Sequence, residues 1–334
     1  MIDVQNLSKQ YQIAKRDPGL AGAVKSLFSR KYETKQAVQD ISFQIQKGEM
    51  VGYIGANGAG KSTTIKMLSG ILTPSSGVVR VNGIVPYENR RRNASQIGAV
   101  FGQRTQLFWD IPIRESYHLL KHIYQVPETE FQQRLEMFTD VLDLGPLLGI
   151  PVRQMSLGQK MRAELAAAFL HNPAVVFLDE PTIGLDVAVK DRIRAFIREM
   201  NRQQETTVIL TTHDMQDIEE ICNRIIIIDG GKILYDGALQ AIKERFGDKR
   251  TIHFDLEKND GFTIPYALAT RVEQVVSHRE AAGKSNSISL SFNNAEITAA
   301  EVISEMMQAY TIRDLTIDEV HIEQIVKDIY ERGL

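Results

Sequence analysis

Residues 55–63, Gly-Ala-Asn-Gly-Ala-Gly-Lys-Ser-Thr, constrain this chain more than any other stretch. They spell G-x-x-x-x-G-K-[ST] and follow residues 49–54, whose apolar run predicts a buried strand. A glycine-rich turn that leaves such a strand and opens a helix is a cradle for the phosphates of a nucleotide. Glycine is needed there because a side chain would obstruct the close backbone approach. On this reading Gly55, Asn57, Gly58, Ala59, Gly60 and Thr63 build the turn, and the amides from 58 to 62 hold phosphate from beneath. Lys61 reaches the β- and γ-phosphates, and Ser62 offers its hydroxyl to Mg²⁺. The motif implies ATP or GTP and says nothing of what the energy drives.

The surrounding pattern fits an α/β frame. Ile2, Val4 and Leu7 suggest a first strand, and Ile41, Phe43 and Ile45 alternate as a second. Between them Leu20, Val24, Leu27 and Phe28 predict a short helix over 19–30, beside the cations Lys25, Arg30 and Lys31. Residues 61–69 continue the glycine-rich turn as a helix, and 76–83 read as a hairpin strand between turns. Residues 114–124 and 128–142 are helical by the recurrence of Leu119, Leu120 and Ile123, then Phe131, Leu135, Phe138 and Leu142. They predict a helical subdomain, about 104–160, inserted into the core. Apolar strands at 174–178, 207–211 and 224–228 then alternate with helices, which implies a mostly parallel sheet covered on both faces. Residues 241–334 form a second expected domain after a first of 1–240. Ile252, Phe254, Leu256 and Ile288, Leu290, Phe292 alternate as strands, and helices over 296–310 and 319–332 flank a strand near Thr316. This is a small α+β unit with no visible catalytic cluster, expected to be accessory, regulatory or dimerising.

Composition excludes several classes. The chain has 334 residues, 43% of them hydrophobic, and a net charge of -3, so it lacks the basic footprint of wholesale nucleic-acid binding. Residues 241–334 are mildly acidic, with 11 Lys or Arg against 16 Asp or Glu. No run approaches 18 apolar residues, so no membrane span is expected, and the first residues lack the pattern of a secretory signal. The single cysteine, Cys222, suits a reducing compartment and falls beside Ile218 and Ile221 as a small core residue.

Four further elements carry chemistry. The apolar strand before Asp179 and Glu180 places Asp179 at its C-terminal end, where α/β sheets bind ligands and where a carboxylate can hold magnesium. By strand alternation Glu180 is expected on the opposite side, free to polarise an attacking water. His213 follows the next apolar strand and is a candidate donor to the γ-phosphate, although a lone histidine is more often structural. Gln103, between an apolar stretch and the helical insertion, is a candidate sensor of magnesium or the water. Ser156, Gly158 and Gln159 stand at a helix start, where Ser156 is a good N-cap and the free amides favour an anion. With Lys61 already on the phosphates, a second phosphate-seeking helix end makes sense if it faces a nucleotide held by another subunit.

Together these residues resemble the ATP-binding cassette (ABC) subunit of a membrane transporter, over residues 2–237. The resemblance implies a P-loop fold with antiparallel N-terminal strands beside the parallel core sheet. Residues 55–63 are similar to Walker A and 175–180 to Walker B with Glu180 as base. Gln103 resembles the Q-loop glutamine, His213 the switch histidine, and Asp186 after Gly184 and Leu185 the D-loop aspartate that helps place the opposite site. Tyr11 resembles the aromatic residue that stacks on adenine. Two departures stand out: Met155 and Leu157 replace the leucine and first glycine of the usual signature, and Ile183 stands where serine is common. No catalytic group is lost, which implies two competent sites in a homodimer binding ATP and Mg²⁺. The resemblance further implies a peripheral place on the cytoplasmic face of the cell membrane, with separate transmembrane subunits contacting residues 103–113. Arg104, Phe108, Trp109 and 111–113 are the candidate contacts, and exposed aromatics there would favour that role. Export of drugs, lipids or polysaccharides is the expected direction. An importer subunit, a soluble cassette without a permease and a non-hydrolysing ATP sensor are the alternatives.

Overall fold

The computed structural model describes residues 1–15, 31–102, 105–246, 249–257, 262–275, 287–294, 296–318 and 322–332. The chain divides into two compact units, Met1–Ala238 and Leu239–Gly333.

The first unit is built around six strands: β3 (Met50–Gly55), β5 (Ile97–Phe101), β6 (Val175–Asp179), β7 (Thr207–Thr211), β8 (Arg224–Asp229) and β9 (Lys232–Ala238). Their order is β5-β6-β7-β3-β8-β9, parallel except for the antiparallel edge strand β9. The central strands are apolar at nearly every position because both faces are covered: Val51, Ile54, Val176, Leu178, Ile209 and Ile226 are all buried. A second sheet of order β2-β1-β4 joins β1 (Ile2–Lys15), β2 (Lys31–Ile45) and β4 (Ser76–Val81) in antiparallel register. Ile2, Val4, Phe43 and Val79 from that sheet enter one core with Val51, Tyr53 and Ile65.

Strand β1 is twice as long as its apolar residues suggest, pairing with β2 as far as Lys15↔Lys31. Its outer half, with Tyr11, is polar and held by ladder hydrogen bonds, which carry no period in the sequence. The helix expected over 19–30 lies outside the described residues.

Helix α1 (Lys61–Leu68) leaves the glycine-rich turn, and the short α2 (Arg90–Ala94) precedes β5. Between β5 and β6 run α3 (Ile113–Ile123), α4 (Glu128–Leu142) and α5 (Leu157–Phe169). In α3 the buried stripe is Ile113, Ser116, Tyr117 and Leu120, whereas Leu119 and Ile123 are exposed. The expected grouping of 119, 120 and 123 on one face is thus only partly right, because the stripe winds through 113, 117 and 120 at helical spacing. Helices α6 (Val187–Gln204) and α7 (Met215–Ile221) complete the unit. Cys222 closes α7 in the core, where burial pushes its thiol pKa up.

The second unit contains α8 (Leu239–Phe246), β10 (Lys249–Leu256), β11 (Val272–Val275), β12 (Ser287–Asn293), α9 (Ala299–Ala309), β13 (Ile312–Asp318) and α10 (Ile322–Arg332). Its sheet, β11-β12-β10-β13, has antiparallel neighbours throughout. The connections β10 to β11 and β12 to β13 therefore each cross over an intervening strand, the split βαβ arrangement of ferredoxin-like domains. Turns over 266–271 carry the described part of the first crossover, and α9 carries the second. Ile252, Phe254, Leu290 and Phe292 pack on Val302 and Met306 of α9, whose start is fixed by a capping box between Thr298 and Glu301. Among the described residues no helix is long and apolar enough to cross a membrane.

Candidate active site

The turn after β3 adopts a conformation that only glycine fits. Gly60 has φ of 113°, and a Cβ there would meet the Ala37 carbonyl oxygen at 2.5 Å; a Cβ on Gly55 would meet the Ile228 carbonyl oxygen at 2.4 Å. The backbone is therefore pressed between β2 and β8, and the turn borders a cleft of about 300 Å³. Tyr11, Lys35, Asn57, Gly58, Lys61, Ser62, Thr63 and Glu180 line it. The length of β1 brings Tyr11 to the cleft, with the Lys9 ammonium 5.5 Å from its ring centre. Lys35 at the same wall was not legible in the sequence, because it belongs to a strand whose register only the fold reveals.

Lys61 is buried, and its Nζ donates to the carbonyls of Gly55 at 2.5 Å and Ala56 at 3.2 Å. Burial lowers its pKa, while the nearby Glu180 and Asp179 carboxylates pull the other way. Asp179 ends β6 level with Phe101 and Thr211. Its Oδ1 accepts hydrogen bonds from Thr211 Oγ1 at 2.5 Å and Ser62 Oγ at 3.4 Å.

Glu180 corrects the sequence reading. Strand β6 stops at Asp179, and Glu180 has φ of +56°, the left-handed region that a bulky residue rarely occupies. Strand alternation thus does not set its direction. Its N–H donates to the Thr211 carbonyl at 2.8 Å, and its Oε1 lies 2.8 Å from His213 Nε2. It borders both the phosphate-side cleft and an adjoining cleft of about 270 Å³ with Ser62, Phe101, Asp179 and Ile183. His213, the candidate donor to the γ-phosphate, lies against Glu180. The fold brings Lys61, Ser62, Asp179, Glu180 and His213 into one place: a cation and amides for phosphate, hard oxygen donors, and a carboxylate beside an imidazole.

Ser156, Gly158 and Gln159 are not among the described residues lining these clefts. Ser156 caps α5: its Oγ accepts from Gln159 N at 3.3 Å, and Gln159 Oε1 accepts from Ser156 N at 2.9 Å. The helix start packs against the turn through Gly184, where Leu157 approaches to 3.3 Å of a Cβ placed on that glycine. Asp186 caps α6 by accepting from Val189 N at 2.9 Å. Leu157, Ile183 and Val187 are all exposed around this turn. Gln103 and Arg104 lie outside the described residues. Beyond them Phe108 and Trp109 are 44% and 53% exposed, while Ile113 is buried, and the Lys160 ammonium sits 5.6 Å from the Trp109 ring centre.

Known proteins are similar to this chain in sequence and fold. A family model described as "ABC transporter" matches residues 38–183. The linearmycin resistance ATP-binding protein LnrL of Bacillus subtilis (strain 168) is 31% identical over 250 residues, 75% of this chain and 80% of its own. The methionine import ATP-binding protein MetN of Latilactobacillus sakei subsp. sakei (strain 23K) is 30% identical over 307 residues, covering 91% and 87%. A solved structure described as the ATP binding subunit of an ABC transporter superposes with a TM-score of 0.62 at 26% identity, over 74% of this chain and 93% of that one. The glycine-rich turn, the Asp179–Glu180 strand end and these likenesses together make the chain a member of the ABC transporter family, an ATP-binding and ATP-hydrolysing cassette.

Proposed function

We propose that this ATPase closes with a second copy of itself around two ATP molecules and so drives export through separate membrane-spanning subunits. The observation that carries the reading is the split of the phosphate-binding groups. Lys61 lines one cleft, Asp179 the adjoining one, and Ser62 and Glu180 border both, whereas Ser156, Gly158 and Gln159 line neither and start a helix beside the exposed Leu157 and Val187. A second copy would bring that surface to the partner's nucleotide and cover the apolar side chains. Within each site Lys61 leaves its carbonyl partners for the phosphates, and Glu180 takes the proton of the attacking water. His213, now on Glu180, orients that carboxylate and reaches the γ-phosphate as it develops charge. Gln103 senses the metal and water, Asp186 helps place the opposite site, and Tyr11 stacks on adenine.

Magnesium fits the donors. Ser62 Oγ and Asp179 Oδ1 are hard oxygens 3.4 Å apart, and among the described residues no group of three or more His, Cys, Asp or Glu could cage a metal. Mg²⁺ is commonly held by one or two carboxylates together with substrate phosphates, which these two side chains allow. When bound it neutralises phosphate charge.

The exposed Phe108 and Trp109 would give membrane subunits an apolar grip, which supports the reading of a peripheral protein on the cytoplasmic face of the membrane. The split βαβ unit is an accessory, regulatory element. Likeness to a resistance protein favours export, and likeness to a methionine-import protein over most of the chain motivates import as the second reading. The test is purification of the tagged chain from membranes, identification of a polytopic partner, and reconstitution of both in vesicles with ATP on the cassette side. Substrate accumulating away from the cassette supports export, accumulation on its side supports import, and absence of any polytopic partner refutes the transport reading while leaving hydrolysis intact.

A further inference from the structure

A buried polar cluster lies behind the clefts. Asp217 on α7 and Arg194 on α6 are 0% and 1% exposed, and Arg194 Nε donates to Asp217 Oδ1 at 2.7 Å. The other carboxylate oxygen, Oδ2, accepts from two hydroxyls, Thr182 Oγ1 and Thr212 Oγ1, the latter at 3.2 Å. Both threonines are buried as well. A buried ion pair is costly to desolvate and is weak evidence of a stabilising role. The placement of the threonines points elsewhere.

Thr182 follows Glu180 by two residues and begins the turn toward Gly184 and Asp186. Thr212 adjoins His213. These residues belong to separate connections, one after β6 and one after β7, and a single carboxylate oxygen joins them. The far side of His213 is tied down too: Asp214 N donates to Thr212 Oγ1 at 3.0 Å, and Asp214 Oδ2 meets Lys190 Nζ at 2.5 Å and Arg194 Nη2 at 3.8 Å. Arg194 Nη1 is fixed in turn by Asp191 at 3.2 Å and Glu220 at 3.0 Å. A non-glycine residue in the left-handed region, such as Glu180, persists only where its surroundings over-determine it. The Thr211 carbonyl before it and the Thr182 hydroxyl after it supply that constraint. None of Thr182, Thr212 or Asp217 lines either cleft.

We propose that Asp217 is a positioning residue that locks the loops bearing Glu180 and His213 into one register, with Arg194 as its counter-charge. The inference rests on the catalytic reading of Glu180 and His213 given above. Since the brace touches no part of the nucleotide cleft, it acts on turnover and leaves nucleotide affinity alone.

The test is steady-state hydrolysis by the full chain with Mg²⁺ and varied ATP. Thr182→Val and Thr212→Val each remove one hydroxyl and leave the ion pair in place. Each is expected to lower kcat about tenfold, the scale of one hydrogen bond to a charged group, with KM for ATP changed less than about twofold. Thr182→Ser and Thr212→Ser, which keep the hydroxyl, restore kcat. The double valine variant loses less than the product of the two, because both hydroxyls act through one oxygen. Valine variants that turn over at the original rate overturn the proposal. So do serine variants as slow as the valine ones, or a raised KM at constant kcat. Glu180→Gln run alongside separates the two levels. If it hydrolyses normally the catalytic reading fails and takes the brace with it; if it is dead while the valine variants are normal, the brace alone fails.

Discussion

Glu180→Gln should separate chemistry from folding. Glutamine keeps the length of the side chain and one oxygen that can still accept from His213 Nε2, now at 2.8 Å from the carboxylate. The exchange turns a charge-assisted contact into a neutral one. Both partners are partly exposed, with 29% of the Glu180 and 46% of the His213 side chain open to solvent, so screening limits the loss. Such a contact is worth less than about 1 kcal/mol, or a fall in Tm of no more than ~2–4 °C. The left-handed backbone is equally strained with either residue, so it adds nothing. Hydrolysis, in contrast, loses its general base, a drop in kcat of about 10²- to 10⁴-fold. The assays are phosphate release under saturating ATP and Mg²⁺, thermal unfolding with and without nucleotide, and size-exclusion chromatography with ATP. The variant should bind ATP, elute as a dimer and fail to turn over. Turnover at the original rate would refute the assignment of the base. A large fall in Tm would refute the claim that Glu180 contributes to chemistry and little to folding.

Other expectations follow from burial and exposure. Lys61→Met removes an ammonium whose desolvation outweighs the favourable pull of the nearby Glu180 and Asp179 carboxylates, so the free protein should melt at the wild-type temperature or above, while the ATP-induced rise in Tm disappears. A persistent ATP-induced rise would contradict the role of Lys61. Leu157→Asp or Ile183→Asp should abolish ATP-dependent dimers of the Glu180→Gln protein without lowering its Tm, because both side chains are exposed in one copy; a dimer that survives both changes rules out this face. His171 is half-buried, its Nε2 donates to the Ile97 carbonyl at 2.9 Å, and desolvation lowers its pKa from 6.5 to about 4. The unfolded chain therefore takes up a proton below pH 6.5 that the folded one refuses until about pH 4, so stability falls as pH drops through that window. The loss between pH 7 and 5 should be about 2 kcal/mol by urea unfolding, and His171→Gln should flatten the dependence; an equal slope in that variant would dismiss His171 as its source.

What the sequence discloses is what depends on neighbours in the chain. The turn over 55–63 is legible because its glycines, lysine and serine are contiguous and each answers to a local backbone demand. Strands β6, β7 and β8 are legible because burial on both faces leaves an unbroken apolar run. Strand β11 is four residues long and earns its place only by pairing with β12, so nothing local marks it. The direction of Glu180 is hidden for a different reason. Alternation presumes that the strand continues, and a glutamate gives no sign that its φ will be positive. The groups that meet this turn are distant in the chain: the Thr211 carbonyl accepts from Glu180 N, and Asp217 accepts from Thr182 two residues on. Asp217, Arg194 and Thr182 are an aspartate, an arginine and a threonine with no motif between them, and their meaning arises only where β6 and β7 end side by side. The glycine-rich turn can be read from the chain, whereas the groups that brace the loops around Glu180 and His213 are found only in the fold.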